Sequence, residues 1–241
     1  MSSFWKQLFS GRRKANGTSG AAGTAKPPSE PQLAISLTDS GKPTPQSDAE
    51  AQLLKGAMHH SGQGERQDYQ EALKSFRIAA DQGNARARNW LGTMYYLGQG
   101  VSKDYREALK WYRLAADQGV AEAQRYVGIL YDNGQGVQQN SIEALKWFRL
   151  AADQGDTGAQ FCLGVLYRDG RGVKQDHKEG TKWIGLAAEQ GNANAQHNLG
   201  VMYYQGIGVS KDIEEGVKWW QRAADQGSVE AKHNLAIVTR R

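Results

Sequence analysis

The chain has 241 residues, with 30 Lys/Arg against 25 Asp/Glu, one cysteine and five prolines, enough for a sizeable core in one or two domains. Residues 1–46 hold six Lys/Arg and two Asp/Glu, four of the five net positive charges, so the remainder is near neutral and argues against a nucleic-acid partner. The lone Cys162 excludes an intrachain disulfide, and no run of 18 apolar residues is available to span a membrane.

The chain opens Met-Ser-Ser-Phe-Trp-Lys-Gln-Leu-Phe-Ser, and Arg12, Arg13 and Lys14 follow the apolar part rather than precede it. That order is the reverse of a secretory signal, and the expected location is the cytoplasm. Residues 3–9 predict a short amphipathic helix with Phe4, Trp5, Leu8 and Phe9 on one side. Aromatics with trailing cations suit an anionic membrane surface or a partner's groove, which gives peripheral contact with the inner membrane face as the corresponding expectation. Residues 10–47 are rich in Gly, Ser, Ala, Thr and Pro and bury too little to offset chain entropy, so 1–47 reads as a disordered arm and linker. Every proline (Pro27, Pro28, Pro31, Pro43, Pro45) lies in it, leaving the rest of the chain open to helix.

From residue 48 onward the sequence matches itself when shifted by 36. Ala51, Ala87, Ala123, Ala159, Ala195 and Ala231 form one column; Gly62, Gly98, Gly134, Gly170 and Gly206 a second; Trp111, Trp147, Trp183 and Trp219 a third. The units are 48–83, 84–119, 120–155, 156–191 and 192–227, with a partial cap at 228–241. Each predicts two amphipathic helices: Ala87, Leu91, Met94 and Tyr95 recur at helical intervals, as do Ala108, Trp111, Tyr112, Ala115 and Ala116. The second helix opens with a capping pair, Asp68/Glu71, Asp104/Glu107, Asn140/Glu143, Asp176/Glu179 or Asp212/Glu215, and ends at Gly83, Gly119, Gly155, Gly191 or Gly227. A Gly-x-Gly-Val loop (Gly98, Gly100, Val101) turns the chain between the helices. Gly92, Gly128, Gly164 and Gly200 sit inside first helices, where glycine costs up to about 1 kcal/mol, so a neighbouring helix is expected against each. Stacked arrays need polar ends. The first unit supplies Lys55, His59, Glu65 and Ser75 where later ones carry Leu91, Tyr95, Val101 and Trp111, and Ala236 replaces the glycine in the last helix.

The pattern Ala87, Leu91, Gly92, Tyr95, Gly98, Gly100, Val101, Asp104, Ala108, Trp111, Ala115, Ala116, Gln118 and Gly119 resembles the Sel-1-like repeat proteins, a longer-unit subclass of the tetratricopeptide type, over about four-fifths of the chain. Gly180 and Gly216 depart from it, standing where alanine is usual, and are expected to loosen their helices slightly. The resemblance implies an all-α, right-handed solenoid of about five 36-residue helix-turn-helix units, with a concave surface for a partner, and adaptor roles in signalling, secretion, envelope and degradation complexes. No cofactor is implied.

Nothing in the columns assembles a catalytic site. Cys162 shares a column with Leu54, Trp90, Tyr126, Asn198 and Asn234 and reads as a packed thiol, since no base can be placed beside it. His197 and His233 lack the further ligands a zinc site needs, and His59, His60 and His177 read as solvated. The Gly-x-Gly loops follow no strand and lack the Gly-Lys-Ser/Thr ending of a phosphate loop. Residues that vary between units at i, i+4, i+7 in the first helices are expected to be free of packing and to bind a protein or peptide. They are Asn89, Thr93, Tyr96; Arg125, Ile129, Asp132; Phe161, Val165, Arg168; and His197, Val201, Tyr204. The expected function is a non-enzymatic scaffold, or alternatively a regulatory subunit recruited to a membrane through the N-terminal segment.

Overall fold

The computed structural model describes residues 48–62 and 66–238. The N-terminal arm with Phe4, Trp5, Leu8 and Phe9, the position of Glu65, and residues 239–241 lie outside them. Among the described residues there are eleven helices and no strands. Five pairs follow in order: α1 (Asp48–Ser61) with α2 (Tyr69–Asp81), α3 (Ala85–Leu97) with α4 (Tyr105–Ala116), α5 (Ala121–Asn133) with α6 (Ser141–Asp153), α7 (Thr157–Asp169) with α8 (His177–Glu189), and α9 (Ala193–Gln205) with α10 (Ile213–Asp225); α11 (Val229–Val238) is unpaired. Each helix packs on the one before and the one after it, so the fold is an all-helical solenoid.

Local chemistry sets the helix ends. In α2, α4, α6 and α8 the capping Asp68, Asp104, Asn140 and Asp176 each accept two backbone N–H bonds from the first turn, and Asp212 accepts one from Glu215. The glutamate three residues on does not reach back to the cap; Glu71, Glu107, Glu143, Glu179 and Glu215 instead pair with a lysine one turn later. First helices have caps of their own, which the columns alone did not single out: Asn84, Asp156 and Asn192 accept from Ala87, Ala159 and Ala195, while Val120 offers no side-chain cap to α5.

Two classes of glycine have distinct reasons. The second glycine of the Gly-x-Gly loop in the second to fifth units has positive φ and lies against the start of the preceding unit's second helix. A Cβ on Gly100 would stand 2.7 Å from the Tyr69 carbonyl, and one on Gly136 2.5 Å from the Tyr105 carbonyl carbon. The glycines inside first helices seat a side chain of their own unit's second helix: Phe76 on Gly56, Tyr112 on Gly92, Phe148 on Gly128, Ile184 on Gly164 and Trp220 on Gly200.

Gly180 and Gly216 have a packing reason beside their low helix propensity: they let α8 and α10 run backbone to backbone with their partners, Gly180 against Gly164 and Arg168, Gly216 against Gly200 and Tyr204. Helix propensity alone predicts that Gly180→Ala stabilises by up to about 1 kcal/mol. The added Cβ, however, would stand 2.9 Å from both the Arg168 amide nitrogen and the Gly164 carbonyl oxygen. The expected result is destabilisation by about 1–3 kcal/mol, read from urea unfolding.

At the ends, Lys55 and Ala236 are exposed, as the polar-cap argument requires, but Ser75 is buried. His60 is not solvated either: its ring packs against Tyr69 and Trp90, with centroids 5.2 and 4.7 Å away, and its Nε2 lies 3.0 Å from Gln99 Oε1.

Candidate functional site

Consecutive first helices carry the twelve stripe residues. Their premise of freedom from packing fails at four positions: Asn89, Thr93, Ile129 and Asp132 are only 5, 1, 7 and 2 % exposed. The other eight are half-buried. What makes the stripe continuous is bonding from one unit to the next. Asn89 Nδ2 donates to Glu122 Oε2 at 3.0 Å, and Arg125 Nε lies 3.0 Å from Asp156 Oδ1. Arg168 Nη1 donates to Asn198 Oδ1 at 2.8 Å, and Asn234 Nδ2 lies 3.1 Å from His197 Nε2. Arg171, from the loop after α7, holds the buried Asp132 through one nitrogen at 2.9 and 3.0 Å.

The densest part lies between the second and fourth units. Tyr96 touches Tyr105, Tyr112 and Tyr126 at centroid distances of 5.2, 6.5 and 5.5 Å, and Tyr112 stacks on Tyr126 at 4.9 Å. Thr93 Oγ1 lies 3.0 Å from the Tyr112 hydroxyl. The Arg125 guanidinium sits over the Tyr126 ring at 4.6 Å, and Gly158 in the first turn of α7 leaves it room: a Cβ there would be 2.7 Å from Arg125 Cδ. Burial opposes the Arg125 charge, but Asp156, Tyr126 and Glu122 outweigh it and hold the guanidinium ionised. Burial also pushes the Tyr96, Tyr112 and Tyr126 hydroxyls up, so all are neutral at physiological pH. Glu122 titrates above its ordinary value because burial outweighs the pull of Arg125 and Asn89. Its folded form binds the proton more tightly than the unfolded chain, so this group adds stability as the pH falls through that raised value.

Phe161 and Val165 pack on the core beneath α7 to α10, and Val201 and Tyr204 on the core beneath α10 and α11, where Tyr204 meets Trp220 at 5.1 Å. This half is more apolar than the Arg125 half. Sequence reasoning missed the partners of the stripe: Glu122, Asp156, Arg171, Asn198 and Asn234. It also missed a glutamine relay, although its signal was periodic. Gln124, Gln160 and Gln196 each donate to a carbonyl of the preceding second helix (Ala116, Ala152, Ala188) and accept from Gln154, Gln190 and Gln226 of their own unit.

Cys162 is buried, and burial pushes its thiol up to about 12. We expect negligible reaction with Ellman's reagent at pH 8 in the native state and full reaction in denaturant; rapid native labelling would contradict this environment. Among the described residues no group of three or more His, Cys, Asp or Glu could hold a metal, and no helix is long and apolar enough to cross a membrane.

The Sel1 repeat profile matches five consecutive stretches, residues 49–84, 85–120, 121–156, 157–192 and 193–228. Among solved structures, the chain is similar to a protective antigen of uropathogenic Escherichia coli displaying an SLR fold, with TM-score 0.74 and 34% identity. That match covers 79% of this chain and 41% of the antigen, so the chain spans less than half the antigen's length. A Sel1 repeat protein from Oxalobacter formigenes is similar at TM-score 0.70 and 37% identity over 76% of this chain and 75% of that one. An immunity protein from Pseudomonas aeruginosa shares the fold at TM-score 0.52 and 23% identity, over 83% of this chain and 74% of its own. No curated protein sequence matches. Five matched repeats and a well-covered relative of the same repeat type together place this chain in the Sel1 repeat family, a family of helical repeat proteins that are generally scaffolds for protein–protein interaction.

Proposed function

We propose that this chain is itself a non-enzymatic scaffold, working in the cytoplasm, that takes a protein or peptide along the face of its first helices. The observation that carries the reading is the continuity of that face. Side chains of α3, α5, α7, α9 and α11, with the α7 cap Asp156, bond across the four junctions from the second unit to the last helix, so residues from Asn89 to Asn234 form one ordered surface rather than five separate ones. An ordered face costs little conformational entropy on binding. Its apolar half, Phe161, Val165, Val201 and Tyr204, is half-buried and offers anchor positions, while the Tyr96, Arg125 and Arg168 half offers polar contacts.

The test is recovery of partners by the full chain and by Val165→Glu combined with Val201→Glu, with helicity and thermal melt compared first. Loss of partners from a folded variant supports the reading. Partners fully retained by a folded variant overturn it.

A second reading places the chain at the inner face of a membrane through Phe4, Trp5, Leu8 and Phe9, and it rests on the aromatic and basic order of the sequence. Co-sedimentation of the full chain with anionic vesicles at low salt supports it; equal recovery with neutral vesicles or none removes it.

A further inference from the structure

The second helices carry a row of exposed aliphatic side chains in strict register with the repeat. Ile78, Leu114, Leu150 and Leu186 are 46, 44, 49 and 37 % exposed, and each is 36 residues from the next. Isolated exposed leucines need no explanation, but a periodic row on one face does. On every one of these helices the same stripe holds a lysine four residues before the aliphatic position and a carboxylate three residues after it, as in Lys110, Leu114, Asp117 and Lys146, Leu150, Asp153.

The carboxylates are the anomaly. Asp81, Asp117, Asp153 and Glu189 stand exposed at the C-terminal ends of their helices, where the helix dipole disfavours negative charge, and their side chains make no ion pair among the described residues. Nearby arginines turn away: Arg113 donates to the Tyr131 hydroxyl, and Arg149 lies over Tyr167 and Trp183 of the next unit. In the fifth unit Arg222 takes the aliphatic position and lies over Trp219 at 4.4 Å, which ends the row.

We propose that this face pairs with the same face of a second copy of the chain, about a two-fold axis running along the row. That operation leaves the unit order unchanged and reverses the direction of the facing second helices. Each aliphatic residue then meets its own counterpart, each lysine, already bonded to the glutamate one turn before it, also meets the unpaired carboxylate of the same unit, and both halves of the contact are identical. The alternative axis, along the helices, sets lysine against lysine and carboxylate against carboxylate. Self-complementarity of charge order thus selects one geometry. The dimer leaves the first-helix face of both copies open.

Four aliphatic contacts and their flanking charges are less than a standard interface, so the dissociation constant is of order 10 µM at low salt and rises with added salt. Sedimentation velocity on the full chain, across concentration, reads it. Leu114→Arg with Leu150→Arg weakens the dimer at least about tenfold without changing the melt, because both positions are exposed. Asp117→Lys with Asp153→Lys weakens it similarly, and adding Lys110→Asp and Lys146→Asp to that variant restores it. A full chain that stays monomeric at about 100 µM overturns the proposal, as does a dimer indifferent to the two arginines or a charge exchange that fails to rescue. A monomer whose residues 1–47 become protease-sensitive only when Leu114 and Leu150 are replaced by arginine also overturns it, in favour of the chain's own arm as occupant.

Discussion

Replacing Trp147 by alanine is expected to cost about 3–5 kcal/mol of stability and to make unfolding deviate from two-state behaviour. Trp147 is buried in the cluster that joins the second, third and fourth units and also contains Trp183 and Phe148. Its unit is the central one of five, and in a chain of nearest-neighbour contacts a weak centre uncouples the two halves. Among the described residues the indole Nε1 has no hydrogen-bond partner. Trp147→Phe therefore loses volume but no hydrogen bond, and should cost much less than the alanine. Urea unfolding followed by circular dichroism distinguishes the two. Similar losses for both would mean that the nitrogen, not the packed ring, carries the effect. Any loss of partner binding in Trp147→Ala reports on the fold, since the residue is not on the first-helix face.

Asp156→Ala is expected to cost up to about 3 kcal/mol, because it removes the nearer of two counter-charges from a guanidinium that stays ionised and is only 17 % exposed, leaving Glu122 at 3.4 Å. The same side chain caps α7 by accepting from Ala159, a bond worth about 1 kcal/mol on its own. Asp156→Asn keeps an acceptor for that cap and removes the charge, so its cost falls between wild type and alanine. Replacing Arg125 by methionine in the Asp156→Asn background should recover part of the loss, since it removes a buried charge that keeps only Glu122 as its partner. If Asp156→Ala and Asp156→Asn are equally destabilising, the cap contributes nothing, and if both are mild, the ion pair at the third junction is dispensable.

The parts of this fold that were legible in the sequence are those whose chemistry is local and repeated. Caps such as Asp104, glycine helix ends such as Gly119 and the paired-helix pattern each depend on a few neighbouring residues. The interior glycines were legible as demands for a close neighbour, though not that the neighbour is the second helix of the same unit. The stripe was legible as a face but misread as unpacked. Asn89, Arg125 and Asp132 vary between units because each bonds to a residue 31 to 39 positions later, Glu122, Asp156 or Arg171, that varies with it. A single sequence shows variation without showing its partner. His60 failed in the same way, since the ring that covers it, Trp90, belongs to the next unit. The glutamine relay was visible as a column and overlooked because glutamine on a helix ordinarily faces water.

Packing dominated by helices of the same and adjacent units bears on mechanics. A globular core resists deformation through contacts distant in sequence, whereas this array is held along its length by its junctions, where buried side chains of neighbouring units share a core and first helices bond to one another. A small rotation at every junction sums along the length, so the superhelix behaves as a soft spring that can open or tighten without breaking any unit. Tension applied at the two ends would release the units one at a time, beginning at whichever junction holds least, and produce a sawtooth of rupture steps whose spacing is the contour length of one 36-residue unit.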